Sequence, residues 1–281
     1  VTTAGAPAEP AESSGRVRGK VALITGAARG QGRSHAVRLA REGADIIGID
    51  ICDDLPGIPY PLATPADLEE TARLVAGTGR TMVSHRVDVR DSGALSAAVD
   101  DGVGHLGRLD VAVANAGVCT VQRWDEVTPS VWDTVVGVNL TGVWNTCVAA
   151  TPHLIAAGGG SMVLISSVAG LKGQPFFHPY TASKHALVGV MRSLAVELAM
   201  YDIRVNSIHP TGVDTPMLAG LSGLGECIDS NPRTGSVFLN SLPVDLVTPA
   251  DVSEALVFLS SDESRMVTGL TLTVDAGSAT R

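Results

Sequence analysis

Short runs of apolar residues alternate along this chain with stretches of helical periodicity. The runs fall at residues 21–24, 46–49, 81–89, 111–114, 162–165, 203–208 and 270–274. They are apolar almost throughout rather than at every second position. That pattern suits strands covered on both faces, as in a parallel sheet. Between them, residues 31–42 put Ala36, Leu39 and Ala40 on one face. Residues 65–76 open with a proline and repeat at Leu68, Ala72 and Val75, and residues 181–200 repeat at Ala186, Leu187, Val190, Leu194, Ala195 and Leu198. These spacings follow the 3.6-residue helical period. Thr248 precedes Pro249 as an N-cap precedes the first residue of a helix. Repeated strand–helix–strand units require right-handed crossovers, with helices on both faces of one sheet. The expectation is a single α/β domain over residues 19–281.

Two segments break this rhythm, residues 52–63 and 214–247. The second carries Met217, Leu218, Leu221, Leu224, Ile228 and Phe238 with little helical order. A long loop of that kind in a compact domain reads as an active-site lid. Residues 1–18 are rich in Ala, Pro, Glu, Ser and Gly, without a basic start or an apolar segment. They are expected to be a disordered tail and not a signal peptide.

Charge and cysteine usage narrow the function classes. Lys and Arg number 20 against 29 Asp and Glu, a net charge of −9, and aromatics are only 4% of the chain. Nucleic-acid binding needs a basic surface, so that class is excluded. No apolar stretch reaches the ~18 residues of a membrane span. Cys52, Cys119, Cys147 and Cys227 form no C-x-x-C pair and read as small buried hydrophobes in a reducing, cytoplasmic compartment. The seven histidines show no metal-ligand spacing, so no metal site is expected. His178 and His185 flank the chemistry described below and read as ordinary packed or solvated histidines.

The turn after the first run reads T-G-A-A-R-G-Q-G, Thr25 to Gly32. Gly26, Gly30 and Gly32 would let backbone approach a pyrophosphate, and the helix that follows aims free N–H groups and a positive dipole at it. The spacing departs from G-x-G-x-x-G. Asp50 ends the second run. A carboxylate there accepts hydrogen bonds from ribose hydroxyls and repels a 2′-phosphate, which favours NAD over NADP. Arg29 points the other way. Asp50 decides, because an unpaired like-charge contact is expensive while Arg29 can turn to solvent, and Ile51 offers no cation.

Tyr180 and Lys184 lie four residues apart on an expected helix and so share a face. A free tyrosine has a pKa of about 10. A neighbouring ammonium and an oxidised nicotinamide both lower it, which makes the pair a general acid/base for an alcohol–ketone couple. Ser167 follows the fifth run, at the strand ends where open α/β sheets bind ligands. Its hydroxyl is suited to hold the substrate oxygen.

Taken together and in this order, these residues resemble the short-chain dehydrogenase/reductase family in its classical form, over about residues 20–277. The resemblance implies a doubly wound Rossmann fold with a seven-stranded parallel sheet in the order 3-2-1-4-5-6-7 and NAD across the strand 1/4 switch point. It implies that Gly26, Arg29, Gly30, Gln31, Gly32, Asp50 and Ile51 contact the cofactor, and that Asp88 and Val89 meet the adenine. Asn115, Ala116 and Gly117 would support the sheet and line the cofactor site. Asn139 would hold a proton-relay water. Ser167, Tyr180 and Lys184 would be catalytic, with Tyr180 and Lys184 also touching the nicotinamide ribose. The family's Pro-Gly after the sixth strand is Pro210-Thr211 here, and Pro210, Val213, Thr215 and Met217 are expected at the nicotinamide end.

Residues 28–40, 51–64 and 209–217 are similar to the mycofactocin-coupled subfamily, which includes carveol dehydrogenases. That likeness implies a hydrophobic, terpenoid-like secondary alcohol as substrate. It implies that insertion 52–63 covers an NAD that is held and not exchanged, and that a peptide-derived redox carrier re-oxidises it. A homotetramer built on helices around residues 131–154 and 181–200 is implied by the family. The alternatives are an NAD(P)H-dependent carbonyl or 3-oxoacyl reductase, opposed by Asp50, and a non-catalytic dinucleotide sensor, opposed by the intact Tyr180 and Lys184.

Overall fold

Each apolar run becomes a strand, and the five central strands split their side chains between two cores. The computed structural model describes residues 15–280. The strands are β1 (Val21–Thr25), β2 (Asp45–Asp50), β3 (Met82–Arg86), β4 (Val111–Ala114), β5 (Gly160–Ile165), β6 (Ile203–Pro210) and β7 (Thr271–Val274). They form one sheet in the order β3-β2-β1-β4-β5-β6-β7, and every pairing is parallel. The helices are α1 (Gly30–Arg41), α2 (Pro65–Ala76), α3 (Ser92–Leu106), α4 (Pro129–Val136), α5 (Gly142–Ala156), α6 (His178–Glu197), α7 (Leu224–Ser230) and α8 (Pro249–Ser260).

Leu23, Ala112 and Leu164 point to the face covered by α3, α4, α5 and α6, where they meet Leu95, Val135, Cys147 and Leu187. Their strand neighbours Ile24, Val113 and Val163 point to the face covered by α1, α2 and α8, where they meet Leu39, Val75 and Leu256. Burial on both faces explains why these runs lack alternation. The two edge strands differ from the expectation. β3 and β7 are only partly buried, because each has a strand on one side alone.

Helix starts follow local chemistry. Thr64 and Asp67 form a capping box on α2, and Thr248 and Asp251 form another on α8. The α6 helix begins earlier than its periodicity suggests, at His178, with Pro179 in its first turn.

Two expectations change. Of the tail, residues 1–14 lie outside the described residues, but residues 15–18 are folded. Val17 is buried against the α1/α8 core, and Arg16 pairs with Glu263 and donates its backbone N–H to Glu42. Segment 214–247 is more helical than its composition suggests. It holds a 3₁₀ stretch over Pro216–Leu221, then α7, then a second 3₁₀ stretch over Pro232–Phe238. Its short pieces carry too few turns to show as a 3.6-residue period.

Candidate active site

A cleft opens at the C-terminal ends of β1 and β4, where the strand order reverses. The Gly-rich turn forms its floor. Gly26 and Gly30 have φ of +69° and +55°, which L side chains rarely adopt. A Cβ on Gly32 would lie 1.8 Å from the Gly26 carbonyl oxygen. Only backbone fits there. The first turn of α1 lines the cleft without a side-chain cap, unlike α2 and α8. Its free N–H groups and dipole suit an anion such as a pyrophosphate. Gln31 Oε1 is buried beside them with no hydrogen-bond partner among the described residues.

At one end of the cleft, Asp50 is fixed by the backbone N–H groups of Ala28 (3.0 Å) and Cys52 (3.1 Å). Burial pushes its carboxyl above the usual range, while these hydrogen bonds and Arg29 pull it back. Ile51 lies beside it in the lining. Arg29 donates to the Pro61 carbonyl at 2.7 Å, because the insertion brings that acceptor over it. Asp88 and Val89 also line the cleft. Burial raises the Asp88 carboxyl, but hydrogen bonds from Arg90 outweigh it and hold the group below its usual value. Asn115 ties β4 to β1 by donating to the Thr25 carbonyl at 2.8 Å, and Ala116 and Gly117 continue the lining.

The insertion closes over this floor. Leu55, Tyr60, Leu62 and Ala63 line the cleft from above. The Tyr60 hydroxyl accepts the Cys119 N–H at 3.1 Å, and Thr134 donates to the Pro56 carbonyl at 3.2 Å. The Tyr60 ring also packs on the lid: a Cβ on Gly220 would come within 2.4 Å of it. Tyr60 was not singled out from sequence. A ring in an aperiodic segment gives no sign of which face it turns inward.

The acid/base candidates lie behind the Gly117 wall of the cleft rather than in its lining. α6 brings Tyr180 and Lys184 to one face. Lys184 is buried and donates to the Ile165 carbonyl at 2.8 Å. Its Nζ lies 5.5 Å from the centre of the Tyr180 ring. Burial pushes the lysine down to about 8. Burial also pushes the Tyr180 phenol well above its ordinary value, and hydrogen bonding with Ser167 works against that shift. This is opposite in direction to the expected acidification, because desolvation dominates in the protein alone.

Gly117 links the cleft to these residues, since a Cβ there would stand 3.4 Å from Asn139 Oδ1 and 3.7 Å from Lys184 Nζ. Asn139 sits in a π-helical turn, Gly137–Thr141, between α4 and α5. Its side chain accepts from the Val118 N–H (2.8 Å) and donates to the Val118 carbonyl (2.9 Å), so the amide clamps the chain leaving β4.

Ser167 Oγ accepts the Ala169 N–H at 3.1 Å and donates a long bond to the Pro210 carbonyl at 3.4 Å. Thr215 and Met217 join the cleft lining, while Val213 turns into the core and pairs with Val247. From the lid, Phe238 packs on Phe177 at 5.9 Å, and Phe177 meets Tyr180 edge-on at 6.4 Å.

The family described as enoyl-(acyl carrier protein) reductase matches residues 26–279. The chain is 48% identical over 271 residues to (−)-trans-carveol dehydrogenase from Rhodococcus erythropolis, covering 93% of this chain and 98% of that one. A short-chain dehydrogenase from Mycobacterium paratuberculosis, solved bound to NAD, superposes with a TM-score of 0.93 at 50% identity, over 95% of this chain and 100% of that one. Carveol dehydrogenase from Mycobacterium avium, solved in complex with NAD, gives 0.89 at 50% identity over the same shares.

Proposed function

This chain belongs to the classical short-chain dehydrogenase/reductase family, and from that premise we propose that it oxidises a hydrophobic secondary alcohol, carveol- or terpenoid-like, to a ketone with a tightly held NAD. The observation that carries the proposal is that Tyr180 stands with Ser167 and Lys184, and that Lys184 lies directly behind Gly117 in the wall of the cleft that also holds Asp50. A bound NAD supplies the acceptor for the hydride that leaves the carbinol carbon. The protein's own groups handle the proton. Ser167 orients the alcohol oxygen, and Tyr180 takes the hydroxyl proton. Lys184, one helical turn away, steadies the phenolate and contacts the nicotinamide ribose. Asn139 continues the path to solvent, and since its amide is committed to Val118, a water held there meets its main chain. Gly26, Arg29, Gly30, Gln31 and Gly32 hold the pyrophosphate region. Asp50 and Ile51 meet the adenosine ribose, Asp88 and Val89 the adenine, and Asn115, Ala116 and Gly117 the middle. Thr215 and Met217 frame the nicotinamide end, with Pro210 beside Ser167, and Val213, its side chain in the core, meets it only through main chain.

Tight retention is supported by the bonds that seat the insertion: Arg29 to Pro61, Thr134 to Pro56 and Cys119 to Tyr60. A cofactor that stays in place needs an external oxidant, and a peptide-derived redox carrier fills that role. The lid's apolar residues and the Phe177–Phe238 contact favour a hydrophobic alcohol and exclude water from the hydride step. Exposed Trp132, Trp144, Val148 and Val196 on α4, α5 and α6 support a homotetramer. Among the described residues no helix is long and apolar enough to cross a membrane, and a cytoplasmic location fits this reading. The reductase direction, with NADPH, is the second reading; the family description favours it and Asp50 opposes it.

The test is to denature the purified protein and identify any released nucleotide by mass, then to assay an alcohol panel with added NAD or with an artificial electron acceptor. Released NAD with turnover only on the acceptor is the expected result. Rapid turnover with added NAD contradicts retention, and no alcohol oxidation under either condition contradicts the dehydrogenase.

A further inference from the structure

β6 outruns β5 at the active-site end of the sheet. The last β5–β6 pair is Ile165 with Ile208, after which the β5 chain turns off through Ser166 and Ser167. His209 is therefore the first β6 residue beside that departing chain. It is fully buried. Its Nδ1 lies 2.8 Å from the Ser167 carbonyl oxygen, and its Nε2 lies 2.8 Å from Ser207 Oγ. A carbonyl only accepts, so Nδ1 carries the ring proton. Nε2 of the neutral ring then accepts, and the Ser207 hydroxyl donates to it. One tautomer satisfies both nitrogens.

Burial keeps the imidazole uncharged, lowering it to about 4; its own bond to Ser167 opposes this, and the α6 groups Lys184, His185 and Arg192 add to it. A residue needed only to fill space here would be apolar, as Val205 and Ile208 of the same strand are. A buried polar ring is retained at a cost unless its bonds are used. The bond to Ser167 has a visible use. The Ser167 carbonyl takes the His209 Nδ1–H together with the Gly170 N–H at 2.9 Å. The backbone of Ser167 is thus fixed at its carbonyl, while its hydroxyl accepts the Ala169 N–H, stands beside the Tyr180 phenol, and can exchange its long 3.4 Å donation to Pro210 for a substrate oxygen.

We infer that His209 is a positioning residue, which through its Nδ1–H bond to the Ser167 carbonyl aims the Ser167 hydroxyl at the reacting alcohol oxygen. The inference rests on the dehydrogenase reading above. It concerns turnover geometry and not nucleotide or substrate binding.

The test compares wild type, His209→Leu and His209→Asn on an alcohol that wild type oxidises, and reads the ¹⁵N imidazole signals of wild type near neutral pH. Asn places an amide N–H where Nδ1 stands; Leu fills the space without a donor. Expected are a roughly 10- to 100-fold fall in kcat for His209→Leu with KM within about twofold, and recovery to within about threefold of wild type in His209→Asn. The ¹⁵N signals should show a neutral ring protonated on Nδ1. A His209→Leu enzyme with wild-type kcat overturns the inference, as do equal losses in both variants, or a ring protonated on Nε2 or doubly protonated. The tautomer measurement needs no variant and decides alone if His209→Leu does not fold. Absence of any wild-type alcohol turnover would instead remove the dehydrogenase reading.

Discussion

Lys184 gives its 2.8 Å hydrogen bond to the Ile165 carbonyl, and its ammonium stands 5.5 Å from the centre of the Tyr180 ring. The helical turn that brings the two together does not bond them to each other. Burial raises the phenol and lowers the lysine to about 8. A phenol held high is protonated near neutral pH, and alcohol oxidation needs it deprotonated. The rate of oxidation therefore rises with pH over roughly pH 6 to 9, while ketone reduction, which uses a phenol still protonated there, stays level. Initial rates in both directions across that window check this, and a flat profile in both contradicts it.

The insertion is held by single hydrogen bonds that can be cut one at a time. Tyr60→Phe removes the acceptor for the Cys119 N–H, and Arg29→Ala removes the donor to Pro61. At about 0.5–1.5 kcal/mol for each bond, nucleotide loss on extended dialysis should quicken by roughly 2- to 10-fold in each variant. Retention equal to wild type in both would mean that the insertion does not hold the nucleotide.

On the proposed reading, Asp50 decides between the two nicotinamide cofactors. Its carboxylate is immobilised by Ala28 and Cys52, so it cannot swing away from a 2′-phosphate. Asp50→Ala removes a like-charge contact of several kcal/mol and should let NADP appear among the nucleotides that co-purify. Mass analysis of the released nucleotide reads this directly. A wild-type protein that already carries NADP contradicts the assignment.

Much of this was legible in the sequence for identifiable reasons. The central strands follow from apolar runs that pack on both faces, and the sheet order from the family resemblance. The floor of the cleft follows from glycines at positions where a Cβ collides with backbone, as at Gly32. Tyr180 and Lys184 follow from helical spacing alone. Contacts made across the fold were not legible. The reach of Arg29 to Pro61, the seating of Tyr60 on Gly220 and Cys119, and the bond from His209 to Ser167 all join segments far apart in the chain. The upward push on Tyr180 was also hidden, because spacing shows which charges are near but not how thoroughly water is excluded.

His35 offers a stability test away from the cleft. It is fully buried between α1 and α8, with Nδ1 on Ser253 Oγ at 2.8 Å and no partner for Nε2 among the described residues. Burial lowers it from 6.5 to about 3. Between those values the unfolded chain binds a proton that the folded chain refuses, so stability falls as pH falls through that window. The slope is about 1.4 kcal/mol per pH unit for one such group. His35→Leu should flatten the pH dependence of the unfolding free energy, read from urea titrations, by about that amount between roughly pH 6 and 4. Parallel curves for the two proteins would show that His35 accepts its proton in the folded state.

The central claim is that the Tyr180 phenol carries the substrate proton. Tyr180→Phe removes one oxygen and leaves the ring that packs on Phe177. Measured on an alcohol that wild type oxidises, its kcat should fall by about 10²- to 10⁴-fold, with nucleotide content and melting temperature unchanged. Turnover equal to wild type would contradict the account.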